Sequence, residues 1–327
     1  MDRDRKKVKI LSVTLFISTV LMLIKFAAWI ITHSNAILTD ALESIVNVFA
    51  GAFALYSVNY AAKPKDEDHP YGHGKIEFLS VGLEGTLIAI AGISIIIKSV
   101  YNLYYPHKIQ SLDIGLYLTL FTGLVNFMMG FYLQKKGKEL HSVTLTADGK
   151  HIISDAYSSG GLIIGIILIW ISGISWMDSA VAIIFGVFIL YTGYQLMRKS
   201  LAGVLDETDY LLVDEIVEVL NKNRKEEWID IHNFRVIKYG SNLHIDCHIT
   251  LPWYYSLEQS HNLVSEVESI LTRESENHIE VFIHADPCLP ESCSICSLKN
   301  CAQRKQEFVK QITWTKEVIL KNKKHSL

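Results

Sequence analysis

Residues 140–171, LHSVTLTADGKHIISDAYSSGGLIIGIILIWI, place an imidazole and a carboxylate, His151 and Asp155, inside a segment long and apolar enough to enter a membrane. Four positions apart, the two share one helical face. Burying such groups in hydrocarbon costs several kcal/mol unless a partner or a water-filled path receives them, so the pair reads as a functional site. Asp40, Glu43 and Asn47 repeat the pattern at i, i+3, i+7 in the apolar segment that begins near Ala36. Two helices that both turn hard or borderline donors inward suit a divalent-cation path. The alternative is a pair of polar contacts that only hold helices together. Lys25, midway along the first apolar segment, is costly in the same way; it should form an internal pair with a carboxylate, the alternative being a side chain that snorkels to the interface.

Outward from this segment, the chain divides by composition. Half of its 327 residues are hydrophobic and the mean hydropathy is +0.23, yet the last third is rich in Lys, Glu, Asp and His. A net charge of −3 with scattered basic residues excludes a nucleic-acid partner. No small-residue cleavage site closes the first apolar run, so it reads as a retained span.

Six runs reach the length a bilayer requires: Ile10–Ile31, Ala36–Ala61, Phe78–Leu103, Leu112–Leu133, Leu140–Ile171 and Met177–Met197. Lys and Arg gather before the first, between the second and third, between the fourth and fifth, and after the sixth. Both termini should then be cytoplasmic. Beyond Ser200, Tyr210–Lys222 and Ser256–Thr272 read as amphipathic helices, and Ile229–Tyr239, Asn242–Leu251 and Ile279–Ala285 as strands. The expected fold is an α-helical membrane protein with six transmembrane helices plus a C-terminal cytoplasmic α/β domain of αββαβ, ferredoxin-like order. The expected divisions are 1–9, a cytoplasmic N-terminal segment; 10–200, the membrane domain; 201–287, the α/β domain; and 288–327, a Cys-rich extension.

Several motifs occur in one order: Ser34-x-Ala36-x3-Asp40-Ala41, His69-Pro70-Tyr71-Gly72-His73-Gly74-Lys75-x-Glu77, His151-x3-Asp155 and Ile283-His284-x-Asp286-Pro287. The chain thereby resembles the cation diffusion facilitator family from about residue 10 to 287, and is similar to bacterial zinc and iron exporters. The resemblance implies a homodimeric, multi-pass protein of the plasma (inner) membrane that moves a divalent metal ion out of the cytoplasm against protons, and not an enzyme.

Position by position, the resemblance implies a transport site of Glu43, Asn47, His151 and Asp155, with Asp40 and Asp148 as accessory carboxylates or helix-end polar groups. Glu43 and Asn47 depart from the usual zinc pattern. A neutral amide removes one charge and makes the site less selective, so Zn²⁺ is expected, with Fe²⁺ the nearest competitor and Co²⁺ or Mn²⁺ also accommodated. The resemblance further implies a loop site of Asp66, His69 and His73, regulatory zinc ligands at His232, His248, His261, His284 and Asp286, and a dimer charge pair of Lys75 and Asp206.

The tail lies outside the resemblance. Cys288-x4-Cys293-x2-Cys296-x4-Cys301 sets four of the five cysteines within fourteen residues. In a reducing compartment four thiolates suit a tetrahedral Zn²⁺ or an iron–sulfur cluster rather than disulfides, and a flexible reduced tail is the alternative. Cys247, alone on a strand, should be a small buried apolar residue. A competing class, a metal-responsive membrane sensor or structural protein, would bind metal without moving it. A membrane enzyme lacks any nucleophile–base pair.

Overall fold

The computed structural model describes residues 2–32, 35–105, 113–172, 176–240, 242–274 and 278–327. Two compact units result, Met1–Leu205 and Asp206–Leu327.

The first unit comprises six long helices: α1 (Asp2–Thr32), α2 (Asn35–Ala61), α3 (Ile76–Tyr104), α4 (Asp113–Glu139), α5 (Val143–Ser172) and α6 (Trp176–Val204). At ~1.5 Å per residue each exceeds the ~30 Å of a hydrocarbon core. Among the described residues, four helical segments are apolar enough to cross a membrane: Arg3–Ala27, Ser44–Ala61, Ile76–Tyr104 and Ser179–Val204. The side chains of much of early α4 and late α5 are outside the described set. Phe16, Ile97, Met128 and Ile184 point outward, as lipid-facing helices require.

With no hydrophobic drive between helices in lipid, close backbone packing holds them. α3 packs mainly on α6 and α4 on α5, whereas α2 touches α5 lightly. A Cβ at Gly85 would fall 2.8 Å from the Met197 nitrogen, and one at Gly149 2.8 Å from the Gln134 nitrogen. Glycine is therefore required for both approaches. The charged N-terminus, expected as a separate segment, continues α1: Lys7 is buried 3.8 Å from Glu77 Oε1, and Ser142 and Thr144 donate to Glu77 Oε2. Tertiary pairing, invisible to hydropathy, extends the helix.

The second unit runs α7 (Tyr210–Lys222), β1 (Asp230–Tyr239), β2 (Asn242–Leu251), α8 (Leu257–Glu274) and β3 (His278–Pro287). Asp209 caps α7, accepting from the Leu211 and Leu212 amides. The sheet order is β1-β2-β3, with β1 and β2 antiparallel and β2 and β3 parallel. Val213, Ile216 and Leu220 of α7 and Val267 and Leu271 of α8 cover Ile231, Ile245 and Ile249 of the sheet. A bulge interrupts β1 between His232 and Arg235; Asn233 adopts φ 50° there, and its amide donates to Lys321 O at 2.7 Å.

Residues after β3 pack into this unit. A 3₁₀ turn spans Pro290–Ser294, and a short helix, α9, spans Lys316–Ile319. Trp314 and Ile319 enter the main core. Arg224 stacks 3.7 Å above the Trp314 ring and donates to Ile312 O and Ile229 O, and Asn221 donates to Trp314 O. Cys247 is buried on β2, which pushes its thiol up to about 12. It is inert packing, as its position on a strand suggested.

Candidate metal centres

Within the helical unit, Asn47 of α2 bridges two residues one turn apart on α5. Its amide nitrogen donates to Asp155 Oδ2 at 2.5 Å, and its carbonyl oxygen lies 3.0 Å from His151 Nε2. That oxygen can only accept, so the contact is a hydrogen bond when His151 carries a proton on Nε2. His151 is buried, and among the described residues its Nδ1 has no hydrogen-bond partner. Glu43 lies on α2, one turn before Asn47, and Asp40 one turn earlier still; their side chains fall outside the described residues. Asp148 is buried on α5, and Glu84 of α3 is a further buried carboxylate of this unit. Sequence reasoning missed Glu84, although an isolated acidic residue within the apolar run 81–90 was a visible signal. Lys25 is buried as expected; its recorded donation goes to Ser44 Oγ at 3.0 Å.

The loop between α2 and α3 gathers Asp66, His69 and His73, whose ligand atoms all lie within 4.8 Å of one another. Asp66 accepts from the His69 amide at 2.7 Å and lies 3.2 Å from His73 Nε2. His73 is buried, edge-on to Tyr60, while its two partners are exposed. Gly72 makes the turn at φ 88°.

In the second unit strand register lines up three histidines: His232 faces His248 across β1 and β2, and His248 faces His284 across β2 and β3. Side chains alternate along a strand, so Asp286 shares the face of His284. His232, His248 and Asp286 form a second group within 4.8 Å. Asp286 Oδ2 is 3.0 Å from His248 Nδ1 and 3.3 Å from His232 Nε2, and His284 Nδ1 lies 3.3 Å from His248 Nδ1. Partial burial pushes the Asp286 carboxyl up, but the His248 hydrogen bond and the charges of Lys324, His248 and His284 outweigh it and hold the group below the usual carboxylate range. His261 stands exposed on α8, outside that group.

Three participants here were not foreseen. Asp230 lies 3.5 Å from His232 Nδ1, His325 binds Asp230 through both its backbone amide and Nδ1 at 2.9 Å, and Lys324 Nζ sits 3.7 Å from Asp286 Oδ1. The two tail residues come from far beyond the last motif, and only the folding back of the chain brings them in. The four tail cysteines line one pocket. Lys75 occupies the N-cap of α3, and Asp206 opens the second unit with φ 56°; the pair belongs to different units.

Comparison with known proteins matches residues 11–205 to the cation efflux transmembrane domain and residues 208–288 to the cytoplasmic, dimer-forming domain of cation efflux proteins. An uncharacterized transporter of Synechocystis sp., sll1263, is 29% identical over 264 residues, covering 81% of this chain and 85% of its own length. The cation-efflux pump FieF of Serratia proteamaculans is 27% identical over 278 residues, 83% of this chain and 90% of the pump. That of Yersinia pestis is 28% identical over 275 residues, with the same two coverages. Both halves of the architecture are thus matched in order, and the chain belongs to the cation efflux family of integral membrane transporters.

Proposed function

We propose that the protein exports a divalent transition metal from the cytoplasm in exchange for protons, as a homodimer, with Glu43, Asn47, His151 and Asp155 as the transport set. Family membership supplies cation efflux; the identity of the ion and the coupling rest on the site. The observation that carries the reading is the Asn47 bridge from α2 to His151 and Asp155. The amide meets both residues of α5 and holds them in register. A dication entering between the helices takes the Asp155 oxygen and a lone-pair nitrogen of neutral His151, so whichever of these groups is protonated beforehand gives up that proton on binding. Loading from a protonated site therefore releases a proton, and a proton returning from the opposite side favours release.

One imidazole, one amide carbonyl and carboxylate oxygens suit Zn²⁺ but discriminate weakly against Fe²⁺, Co²⁺ and Mn²⁺. Zn²⁺ is the proposed substrate and Fe²⁺ its nearest rival. The groups at Asp66–His69–His73 and at His232–His248–His284–Asp286 would bind the same ions outside the path, the latter as a regulatory site. Both termini face the cytoplasm in this reading, with Lys75 and Asp206 as a charge pair at the dimer.

Flux of Zn²⁺, Fe²⁺, Co²⁺ and Mn²⁺ into sealed proteoliposomes, recorded with an internal pH dye, tests the proposal. Metal entry with opposite proton movement is expected. Metal binding with no flux would favour the sensor reading instead.

A further inference from the structure

We propose that Cys288, Cys293, Cys296 and Cys301 form a second kind of metal centre in this chain, a closed four-thiolate site that takes a thiophilic metal, zinc or iron, which is not transported. It is independent of the transport reading, since none of its residues belongs to the helical unit.

The four side chains surround one pocket of about 350 Å³, walled by Trp253, Tyr254 and Pro252 on one side and Arg304 on another. Three of the four sulfurs are met by a donor. The Trp253 amide donates to Cys288 Sγ at 3.5 Å, the Lys305 amide to Cys293 Sγ at 3.4 Å and the Tyr254 hydroxyl to Cys301 Sγ at 3.6 Å. A neutral thiol is a weak acceptor and gains little from such an arrangement. A thiolate gains much more, and donors aimed at the sulfurs are the outer shell that metal-bound thiolates use.

Charge and backbone agree. Four thiolates around a dication leave two negative charges, and the Arg304 guanidinium lies within the same wall. It donates to Cys293 O at 3.0 Å, Cys296 O at 3.0 Å and Leu298 O at 2.7 Å, so one side chain shapes the loop that carries the central Cys-x2-Cys pair. The Ser294 carbonyl accepts from Val309, and Cys288 N donates to Leu251 O, which tie the cup to the rest of the domain. Cys296 and the partly buried Cys288 also pack with Ile229 and Ile295 in a small apolar cluster, a role that needs no thiol.

Two centres share this chemistry and differ in width. A single tetrahedral ion at ~2.3 Å from each sulfur draws the sulfurs to ~4 Å of one another, whereas an iron–sulfur cluster holds them farther apart around its own volume. Among the described residues no three of the four sulfurs all lie within 4.8 Å of one another, so the sulfurs stand wider apart than a single bound ion would set them.

The full chain, purified anaerobically in detergent under reducing conditions and washed with a chelator, is compared with the Cys293→Ser/Cys296→Ser variant. Zinc, iron and acid-labile sulfide per protomer are measured, with thiol alkylation followed by mass spectrometry. Wild type should retain at least about one metal equivalent more than the variant, and its tail thiols should alkylate slowly until the protein is denatured. Extra zinc without colour identifies the mononuclear site; extra iron with sulfide and broad visible absorption identifies the cluster. The histidine sites are common to both proteins, so the difference isolates the tail. Should the variant misfold, wild type alone decides: the tail thiols must be protected and metal retained together. Equal metal in the two proteins, or wild-type tail thiols that alkylate freely or are protected without retained metal, overturns the proposal.

Discussion

Asn47 on α2 and Asp155 on α5, 108 positions apart in the chain, are joined by a hydrogen bond of 2.5 Å. The same amide reaches His151, so one neutral side chain spans both polar residues of α5. Asp155→Ala removes the oxygen that accepts from Asn47 and the charge that offsets a dehydrated dication. Metal-driven flux should fall to background while size-exclusion behaviour stays that of wild type. Normal flux would remove Asp155 from the path.

Asn47→Asp restores a carboxylate at the bridging position. Zn²⁺ should gain over Fe²⁺ and Mn²⁺ by roughly tenfold, the ratio that ~1.4 kcal/mol of added preference gives. The ratio of initial rates in proteoliposomes checks it. An unchanged ratio in a folded variant would mean that this side chain does not touch the ion.

Lys324 sits beside Asp286 as a tethered cation at the histidine rung. Replacing it by Met should tighten zinc at His232, His248 and Asp286 by up to about fivefold, since partly exposed ion pairs are worth ~1 kcal/mol or less. Competition with a fluorescent chelator measures this. Weaker zinc binding in Lys324→Met would show that the ammonium supports the site rather than competes for it.

Acid should empty that rung through its histidines. The Asp286 carboxyl is held below the usual range, so it stays charged as pH falls, whereas an imidazole holds a metal only while neutral and must release it on taking a proton. Zinc retention on the full chain should therefore drop between about pH 7 and 5. A midpoint near pH 4 would assign the loss to a carboxylate instead.

Asp209→Ala removes the cap of α7 and the partner of Lys238. The expected cost is ~1 kcal/mol, read as a lower midpoint for unfolding of the second unit by a fluorescence probe. Burial raises the Asp209 pKa, but Lys238 and the two amides outweigh it and depress it overall. The contribution is thus present above the unfolded carboxylate value and disappears as pH falls through the lowered one. A variant as stable as wild type at pH 7 would show that water replaces the cap at no cost.

Periodicity and punctuation were enough for much of this fold. α7 and β2 begin and end where apolar spacing put them, since strong patterns run unbroken between Asp209 and Asn223 and between Ser241 and Pro252. The His151/Asp155 spacing likewise anticipated a shared face, because a helix carries i to i+4 wherever it lies. What stayed hidden depended on chain reversal or on pairing across helices. Buried Lys7 meets Glu77 of another helix as well as its neighbour Asp4, and the tail that brings His325 to Asp230 is also held where the Asn233 amide at the β1 bulge donates to Lys321. Neither partner is visible from local composition.

The glycine contacts described for α3 with α6 and α4 with α5 leave those pairs no room to slide, since backbone meets backbone without intervening side chains. α2 and α5, which carry the proposed transport set, pack far less closely. The alternating exposure proposed above would then have its softest boundary along that narrow seam, where the Asn47 bridge is a fastening to be undone.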